Sequence, residues 1–257
     1  MRYIAFSIDD GRQDTYSVAM PIMDKHGLVG TVNLISDGFW HPDKYQFPSS
    51  AKSMTIEQAQ EWQKWGGEIA SHSSTHANSA QEIVQSIEEL KQAGIDVKDI
   101  GFASPESWLT EENLASSGIG SLLSDGTVSY ARSGIQVRRE GLFYTGLSVL
   151  ERFIHSGWLY YLLNKRTFIR GKKRIYSSAA IKAYTTVSQV QRLVGKLADD
   201  EALILMLHSV LPKGDPGYGA DQYYWDADRF DQLCRWISGQ KDICVLTVQE
   251  LVKRMEA

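Results

Sequence analysis

The first apolar run of the chain, Tyr3-Ile4-Ala5-Phe6-Ser7-Ile8, ends on two adjacent carboxylates, Asp9 and Asp10, followed by Gly11. A β-prone segment cannot bury an unpaired ion without a large desolvation cost or loss of the charge. The pair therefore belongs where the strand ends and meets water, a cation or a reacting group. Gly11 supplies the backbone freedom to turn there. A strand that ends in charge and glycine reads as the rim of an active site.

A chain of 257 residues has room for one large α/β domain or two small ones. With 43% hydrophobic and 23% charged residues it has the balance of a globular protein. The net charge of −4 gives no basic footprint and argues against a nucleic-acid partner. Arg138-Arg139 and Lys172-Lys173-Arg174 are short basic runs that read as solvated faces. Cys234 and Cys244 lack CxxC or Cys/His spacing, so free thiols are expected rather than a disulfide. The sequence opens directly on a strand-like segment, with no secretory leader ahead of it, which predicts a cytoplasmic location. No stretch approaches the ~18–20 apolar residues that cross a bilayer.

Short apolar runs alternate with helical patterns. Strands are expected at 3–8, 29–35, 68–71, 100–103, 120–124, 135–139, 202–207 and 243–246. Helices are expected at 15–26, 55–65, 80–93, 111–117, 186–198, 226–238 and 248–255. Thr55 with Gln58, and Thr247 with Glu250, have the spacing of helix-capping boxes. Repeated βα alternation predicts a mostly parallel sheet covered by helices, and no linker divides it, so residues 1–257 read as a single domain. Residues 141–180 break the rhythm. Their apolar, aromatic and then basic run (Leu159-Tyr160-Tyr161-Leu162-Leu163-Asn164-Lys165-Arg166) fits an inserted helix packing on the sheet. It also fits a cap over the site, or a surface contacting a membrane or a lipid-linked substrate.

Ligand-type residues recur at two further strand ends. Ser71-His72-Ser73-Ser74-Thr75-His76 places two histidines four apart after the strand expected at 68–71, a spacing that lets two imidazoles face one cation. With a strand-end carboxylate they make a candidate two-His, one-Asp metal site that keeps open positions for water and substrate. His208 follows the most apolar strand, Ala202-Leu203-Ile204-Leu205-Met206-Leu207. Alone it would read as a core histidine. With three strand ends carrying Asp-Asp, His and His, convergence on one pocket is the better account. His26, His41 and His155 lack such placement and read as surface residues.

Three of these segments together resemble the polysaccharide deacetylase family, carbohydrate esterase family 4 (the NodB-homology domain). Ser7-Ile8-Asp9-Asp10-Gly11 is similar to its TFDDG motif, and His72-Ser73-Ser74-Thr75-His76 to its HSxxH motif. Leu205-Met206-Leu207-His208 is similar to its apolar strand ending in histidine. Their order and strand context agree across residues 1–250. The resemblance implies an α/β fold, a distorted (β/α) barrel with fewer than eight regular repeats, here with an insertion around 141–180. It implies metal-dependent removal of N-acetyl groups from amino sugars. Asp10, His72 and His76 would hold a divalent cation, zinc by expectation, with Asp9 as general base and His208 as general acid. That division suits the residue types, since a cation polarises an amide carbonyl and acidifies water while a group titrating near neutrality protonates an amine.

The third family motif departs from the usual form. Gly101-Phe102-Ala103-Ser104-Pro105-Glu106-Ser107 has Ala103 where the commoner pattern has an arginine that orients the catalytic aspartate. It resembles a variant, FAYPYG, with Ser104, Glu106 and Ser107 differing. Pro105 and Glu106 are substrate-binding candidates, because in the family a backbone N–H just after this proline helps hold the oxyanion. Asp125 is a candidate for the fourth motif, and equally a turn aspartate. The loop at 211–225 is rich in Gly, Pro and Tyr. Tyr223, Tyr224 and Trp225 are candidates for stacking on a sugar, with core packing the alternative for Trp225.

The expected function is hydrolysis of an N-acetyl group on an amino-sugar-containing glycan or glycan precursor. The alternatives are removal of another acyl group, N-formyl or O-acetyl, and a non-catalytic carbohydrate-binding relative.

Overall fold

Alternation along the first strand, β1 (Arg2–Ile8), divides the protein into an inside and an outside. Ile4, Phe6 and Ile8 join a large apolar cluster beneath the helices, whereas Tyr3 and Ala5 join a separate one. Successive strand side chains point to opposite faces, so a strand buried on both faces must lie between two layers. One layer here is the lumen of a barrel. The computed structural model, which describes residues 1–45, 52–135 and 141–257, shows how it closes. After β1 come β2 (Thr31–Leu34), β3 (Glu68–Ser71), β4 (Phe102–Ala103), β5 (Ala131–Gly134), β6 (Ile175–Ala180) and β7 (Ala202–Leu207), pairing in chain order and all parallel. β7 returns to β1 along the whole stretch Tyr3–Ile8 against Ala202–Leu207, which closes a seven-stranded barrel. The barrel is distorted at one seam. β1 meets β2 only at Ser7 and Ile8. A ribbon of β8 (Ser209–Leu211) and β9 (Tyr224–Asp226) follows β7, and β10 (Ile243–Val245) occupies the start of β1 beside that seam.

Helices cover the outside. A π-helical turn, Thr15–Ala19, runs into α1 (Met20–Lys25). Then follow α2 (Ile56–Trp65), α3 (Ala80–Gln92), α4 (Ile119–Ser124), α5 (Leu142–Ile154), α6 (Gly157–Asn164), α7 (Val187–Val194), α8 (Ala227–Ser238) and α9 (Val248–Glu256). Both expected capping boxes form, at Thr55 with Gln58 and at Thr247 with Glu250, and Thr186 with Gln189 makes a third. Cys234 and Cys244 are free thiols. Among the described residues no helix is long and apolar enough to cross a membrane.

Several sequence expectations are corrected. The strand expected at 120–124 is α4: Ile119 and Leu122, three apart, are its buried pair, which is helical rather than alternating spacing. The helix expected at 111–117 is a series of turns, because Leu114 alone is buried there and no apolar stripe exists. β5 ends at Gly134, earlier than the strand expected at 135–139, whose residues 136–139 lie outside the described residues. Within 141–180, α5 and α6 form the inserted helical pair, but Ile175–Ala180 is barrel strand β6. Its serines and alanines concealed it, since small and polar side chains give no apolar alternation.

The β8–β9 ribbon is tied to the barrel by a buried carboxylate. Asp14 accepts from the Val210 amide at 2.8 Å and from the Ser209 hydroxyl at 3.3 Å. Burial pushes its pKa from 3.8 up to about 6, despite lowering contributions from these donors and Arg12. A carboxyl raised in the folded state binds its proton more tightly than in the unfolded chain. Its contribution is therefore fully present below about pH 4 and is lost as pH rises through about 6. Asp14→Asn keeps an acceptor for the Val210 amide and removes the titration. Urea unfolding of the two proteins from pH 4 to pH 7 should show the variant gaining about 2–3 kcal/mol relative to the parent over that interval. Parallel stability profiles would refute this account of Asp14.

Candidate metal centre and active site

The inward row of β1 runs Tyr3, Ala5, Ser7 and then Asp9, so parity alone carries Asp9 into the top of the lumen. Asn33, on β2, donates to Ser7 Oγ at 2.8 Å and to Asp9 Oδ1 at 2.7 Å. Across the lumen, Arg132 on β5 donates from its second terminal nitrogen to the same Asp9 oxygen. Its other terminal nitrogen reaches Met206 Sδ at 3.0 Å and Ser178 Oγ at 3.4 Å. Asp9 is 3% exposed and Arg132 1%, so this is an ion pair inside the barrel. Ala103 pairs in register with Arg132. The guanidinium missing from position 103 on β4 is thus supplied one strand over, at the same level.

Asp10 leaves the strand in the left-handed conformation, with φ at +74°. Strain at such a non-glycine position persists only where the surroundings fix it. Arg12 donates to Asp10 Oδ2 at 3.1 Å. The other oxygen, Oδ1, lies 3.6 Å from His72 Nε2 and 3.8 Å from His76 Nε2. These three groups put their ligand atoms within 4.8 Å of one another, the sole such cluster among the described residues. Donors on a tetrahedral zinc at ~2.0–2.1 Å sit roughly 3.3 Å apart, so a small inward adjustment would accommodate the ion. His72 is already prepared. Its Nδ1 lies 2.8 Å from the Ala103 carbonyl, which can only accept, so Nδ1 carries the proton and Nε2 the lone pair. Burial lowers its pKa to about 4, against the raising influence of Asp9 and Asp10, and so keeps the ring neutral. For Asp10, burial pushes the pKa up, but His208, Arg12, His72 and His76 outweigh it and hold the group below 3.8. The donor set fits a divalent cation.

Two glutamates of α3 hold the histidine loop. Glu82 accepts from the Thr75 amide and hydroxyl at 2.9 and 2.8 Å. Glu89 accepts from Ser74 Oγ at 2.8 Å and Ser36 Oγ at 2.6 Å. Ser73 and His76 both take positive φ, +65° and +66°. The loop is therefore a fixed turn rather than the helical turn that histidines four apart suggest.

His208 follows β7 in the inward row of Ala202, Ile204 and Met206, which brings it to the same mouth. It is half-buried, and burial lowers its pKa while Asp10 and Asp9 pull it up. Its ring centroid lies 5.0 Å from that of Tyr223.

The substrate-binding candidates separate. Pro105 is buried, its carbonyl accepting from Asn78 at 3.0 Å. Glu106 is exposed at φ +53°, just beyond it. Tyr224 is half-buried with its ring 4.8 Å from that of Tyr218. Trp225 is a correction: it is fully buried, packs on Phe230 and donates its indole N–H to the Thr185 carbonyl at 2.8 Å. It is a core residue with no face for a sugar. Tyr223, exposed and beside His208, is the aromatic of that run placed at the mouth. Asp125 caps α4 and accepts from the Thr127 amide at 2.9 Å, a turn aspartate rather than a site residue. The residues that sequence reasoning missed are Arg132 and Asn33. The available signal was a charged or amide side chain at the inward parity of a short strand.

No family model matches the chain, and no curated protein does. Solved structures do, 29 chains in all. The Xyl-CE4 domain of a multidomain xylanase from the hindgut metagenome of Trinervitermes trinervoides is 19% identical, with a TM-score of 0.51, covering 98% of this chain and 90% of that one. A family 4 acetyl xylan esterase from Clostridium thermocellum, in complex with a cobalt ion, is 15% identical with a TM-score of 0.53 over the same shares. The peptidoglycan deacetylase PdaC from Bacillus subtilis is 13% identical with a TM-score of 0.52, again over 98% and 90%. What these structures share with the chain is the fold: a distorted seven-stranded (β/α) barrel of the kind found in family 4 polysaccharide deacetylases.

Proposed function

We propose that the chain is a metal-dependent deacylase that removes the N-acetyl group from an amino-sugar-containing glycan or glycan precursor. The observation that carries this reading is the side-by-side placement of two differently held carboxylates. Asp9 is fixed by Arg132 and Asn33, while Asp10 faces the two histidines. A metal site alone needs only the second. The solved structures of this fold described as acetyl xylan esterase and peptidoglycan deacetylase support an acylated carbohydrate as the substrate class.

Asp10, His72 and His76 would hold the divalent cation, with zinc expected from the two imidazoles and one carboxylate. Bound there, the cation supplies Lewis-acid polarisation of the acyl carbonyl and lowers the pKa of water. The remaining work falls to the chain. Asn33 and Arg132 both engage Asp9 Oδ1, which leaves Oδ2 to take the proton of the attacking water. His208, across the mouth, gives a proton to the departing amine. The backbone N–H after Pro105 would stabilise the developing oxyanion, a task that needs no particular side chain at Glu106. Tyr223 and Tyr224 border the mouth as sugar contacts. The binding-only alternative loses its main support, the altered third motif, because Arg132 restores a guanidinium contact to Asp9.

Acetate release from a panel of N-acetylated sugars, nucleotide sugars and oligosaccharides, with zinc or cobalt present, tests the reading. Purified protein should carry about one divalent ion per chain. Asp9→Asn should lower kcat by about 10²–10⁴-fold with the metal retained, and His72→Ala should lose the metal. Metal-loaded protein that releases no acetate from any member of the panel would point instead to carbohydrate binding.

Arg132 is proposed as a positioning residue. Arg132→Lys should reduce kcat by roughly 10–100-fold and displace the acidic limb of the pH–rate profile, with KM and metal content unchanged. Because Ala103 sits beside it in register, Arg132→Ala combined with Ala103→Arg should recover part of the lost kcat. Unchanged kcat and pH profile in Arg132→Lys would leave Arg132 with a purely structural role.

A further inference from the structure

α5 is built inside out. At 100° per residue, Leu142, Phe143, Val149, Leu150, Phe153 and Ile154 fall within an arc of about 140°, and every one of them is exposed. Leu142 is 93%, Phe143 72% and Phe153 78% exposed to solvent. The opposite side of the helix carries its one acid. Glu151 is buried there and accepts from the Gln189 side chain. A helix that packs on a protein core normally turns its apolar stripe inward. Here the one fully buried residue is the acid and the apolar stripe faces out. Trp158, 55% exposed at the start of α6, extends the patch.

Charge is segregated around it. Residues 141–174 contain seven basic residues and one acid, the buried Glu151. Taken from the chain totals of 27 and 31, this leaves 20 basic and 30 acidic groups elsewhere. Arg170, Lys172 and Arg174 pair with Glu201, Glu256 and Glu111 toward the opposite end of the barrel. Arg152 on α5 and Lys165 and Arg166 just after α6 are exposed, with Arg166 stacked 4.4 Å from the Tyr144 ring of α5. The patch lies on the side of the barrel mouth. α5 follows the C-terminal end of β5, and its inner face meets the residues after β6: Gln189, and Tyr184 beneath the Arg152 guanidinium at 5.3 Å.

We propose that the outer face of α5 is a docking surface for an anionic lipid bilayer, which seats the barrel mouth at the membrane interface. Large aliphatic and aromatic side chains enter the acyl boundary while flanking cations meet the headgroups, the combination that holds interfacial helices. The inference does not depend on the chemistry proposed for the barrel.

Cosedimentation of the full chain with vesicles of equal phosphatidylglycerol and phosphatidylcholine, and with phosphatidylcholine alone, tests it. Binding should be strong on the mixed vesicles, weaker on the neutral ones and reduced by salt. Phe143→Ser with Phe153→Ser should lower the partition at least about tenfold. Because both side chains are exposed, the unfolding midpoint should stay within a few degrees. Lys165→Glu with Arg166→Glu should reduce binding to the mixed vesicles only. Absence of binding, or equal binding by the parent and the phenylalanine variant, would overturn the proposal. So would a dimer in sedimentation equilibrium that Phe153→Ser dissociates, since that result assigns the face to a second copy of the chain.

Discussion

Inside the barrel, the pairing of Asp9 with Arg132 governs how the mouth is arranged. Each charge is taken out of water in the lumen, and that desolvation is offset only by close contact with an opposite charge. The two terminal nitrogens of Arg132 accordingly donate to Asp9, Met206 and Ser178, from β1, β7 and β6. Asn33 donates to the same Asp9 oxygen from β2. Removing one member would strand the rest, so the contacts tie five strands (β1, β2, β5, β6 and β7) to a single geometry. It also fixes which way Asp10 can go. With Asp9 committed to the lumen, the chain turns through a left-handed residue and hands the second carboxylate to the histidines.

A half-buried carboxylate does the same at the other end. Glu68 accepts from Tyr130 at 2.6 Å, from Thr31 at 2.7 Å and from the Gln249 amide at 2.8 Å, which links β2, β3, β5 and α9. Between these two polar layers the lumen holds small and apolar side chains such as Ala5, Ala70 and Ile204. Directional contacts at both ends restrict strand register in a way that apolar packing alone does not. A closed barrel with rigid ends then carries the long loop after β7 and the α5–α6 pair as additions at its rim.

Much of the site was legible in the sequence because strand-end chemistry is local. Asp9, Asp10, His72, His76 and His208 each follow an apolar run, and the structure brings all five to one mouth. Arg132 was not legible, because its strand is short, its neighbours are Ala131 and Ser133, and its partner is more than a hundred residues away. Reading the third motif by position alone made the arginine look lost; register shows it carried by the adjacent strand. Trp225 misled in the opposite direction. An aromatic after a Tyr pair in a polar loop looks like a sugar contact, but β9 is a strand, and alternation turns Trp225 inward as it turns Tyr224 outward. β6 was hidden because its run of serines and alanines lacks the apolar signature of a strand, and α4 because six residues carry little periodicity.

α5 shows why an apolar stripe is not by itself evidence of a core. The sequence pattern of 142–154 is that of a packed amphipathic helix, and the expectation of an inserted helix was correct. The orientation could not be inferred from the stripe. It follows from Glu151, the acid on the helix's polar side, which finds Gln189 at the head of α7 and is thereby drawn inward. Burial raises its pKa, against the lowering influence of the Gln189 hydrogen bond and of the nearby basic groups. Turning the helix over would bury the aliphatic face but place Phe143 and Phe153 against the polar segment around Thr185 and Gln189, and would send Arg152 away from Tyr184. The polar contacts to the barrel thus specify the outward presentation of the apolar face, and that presentation costs least where a nonpolar phase replaces water.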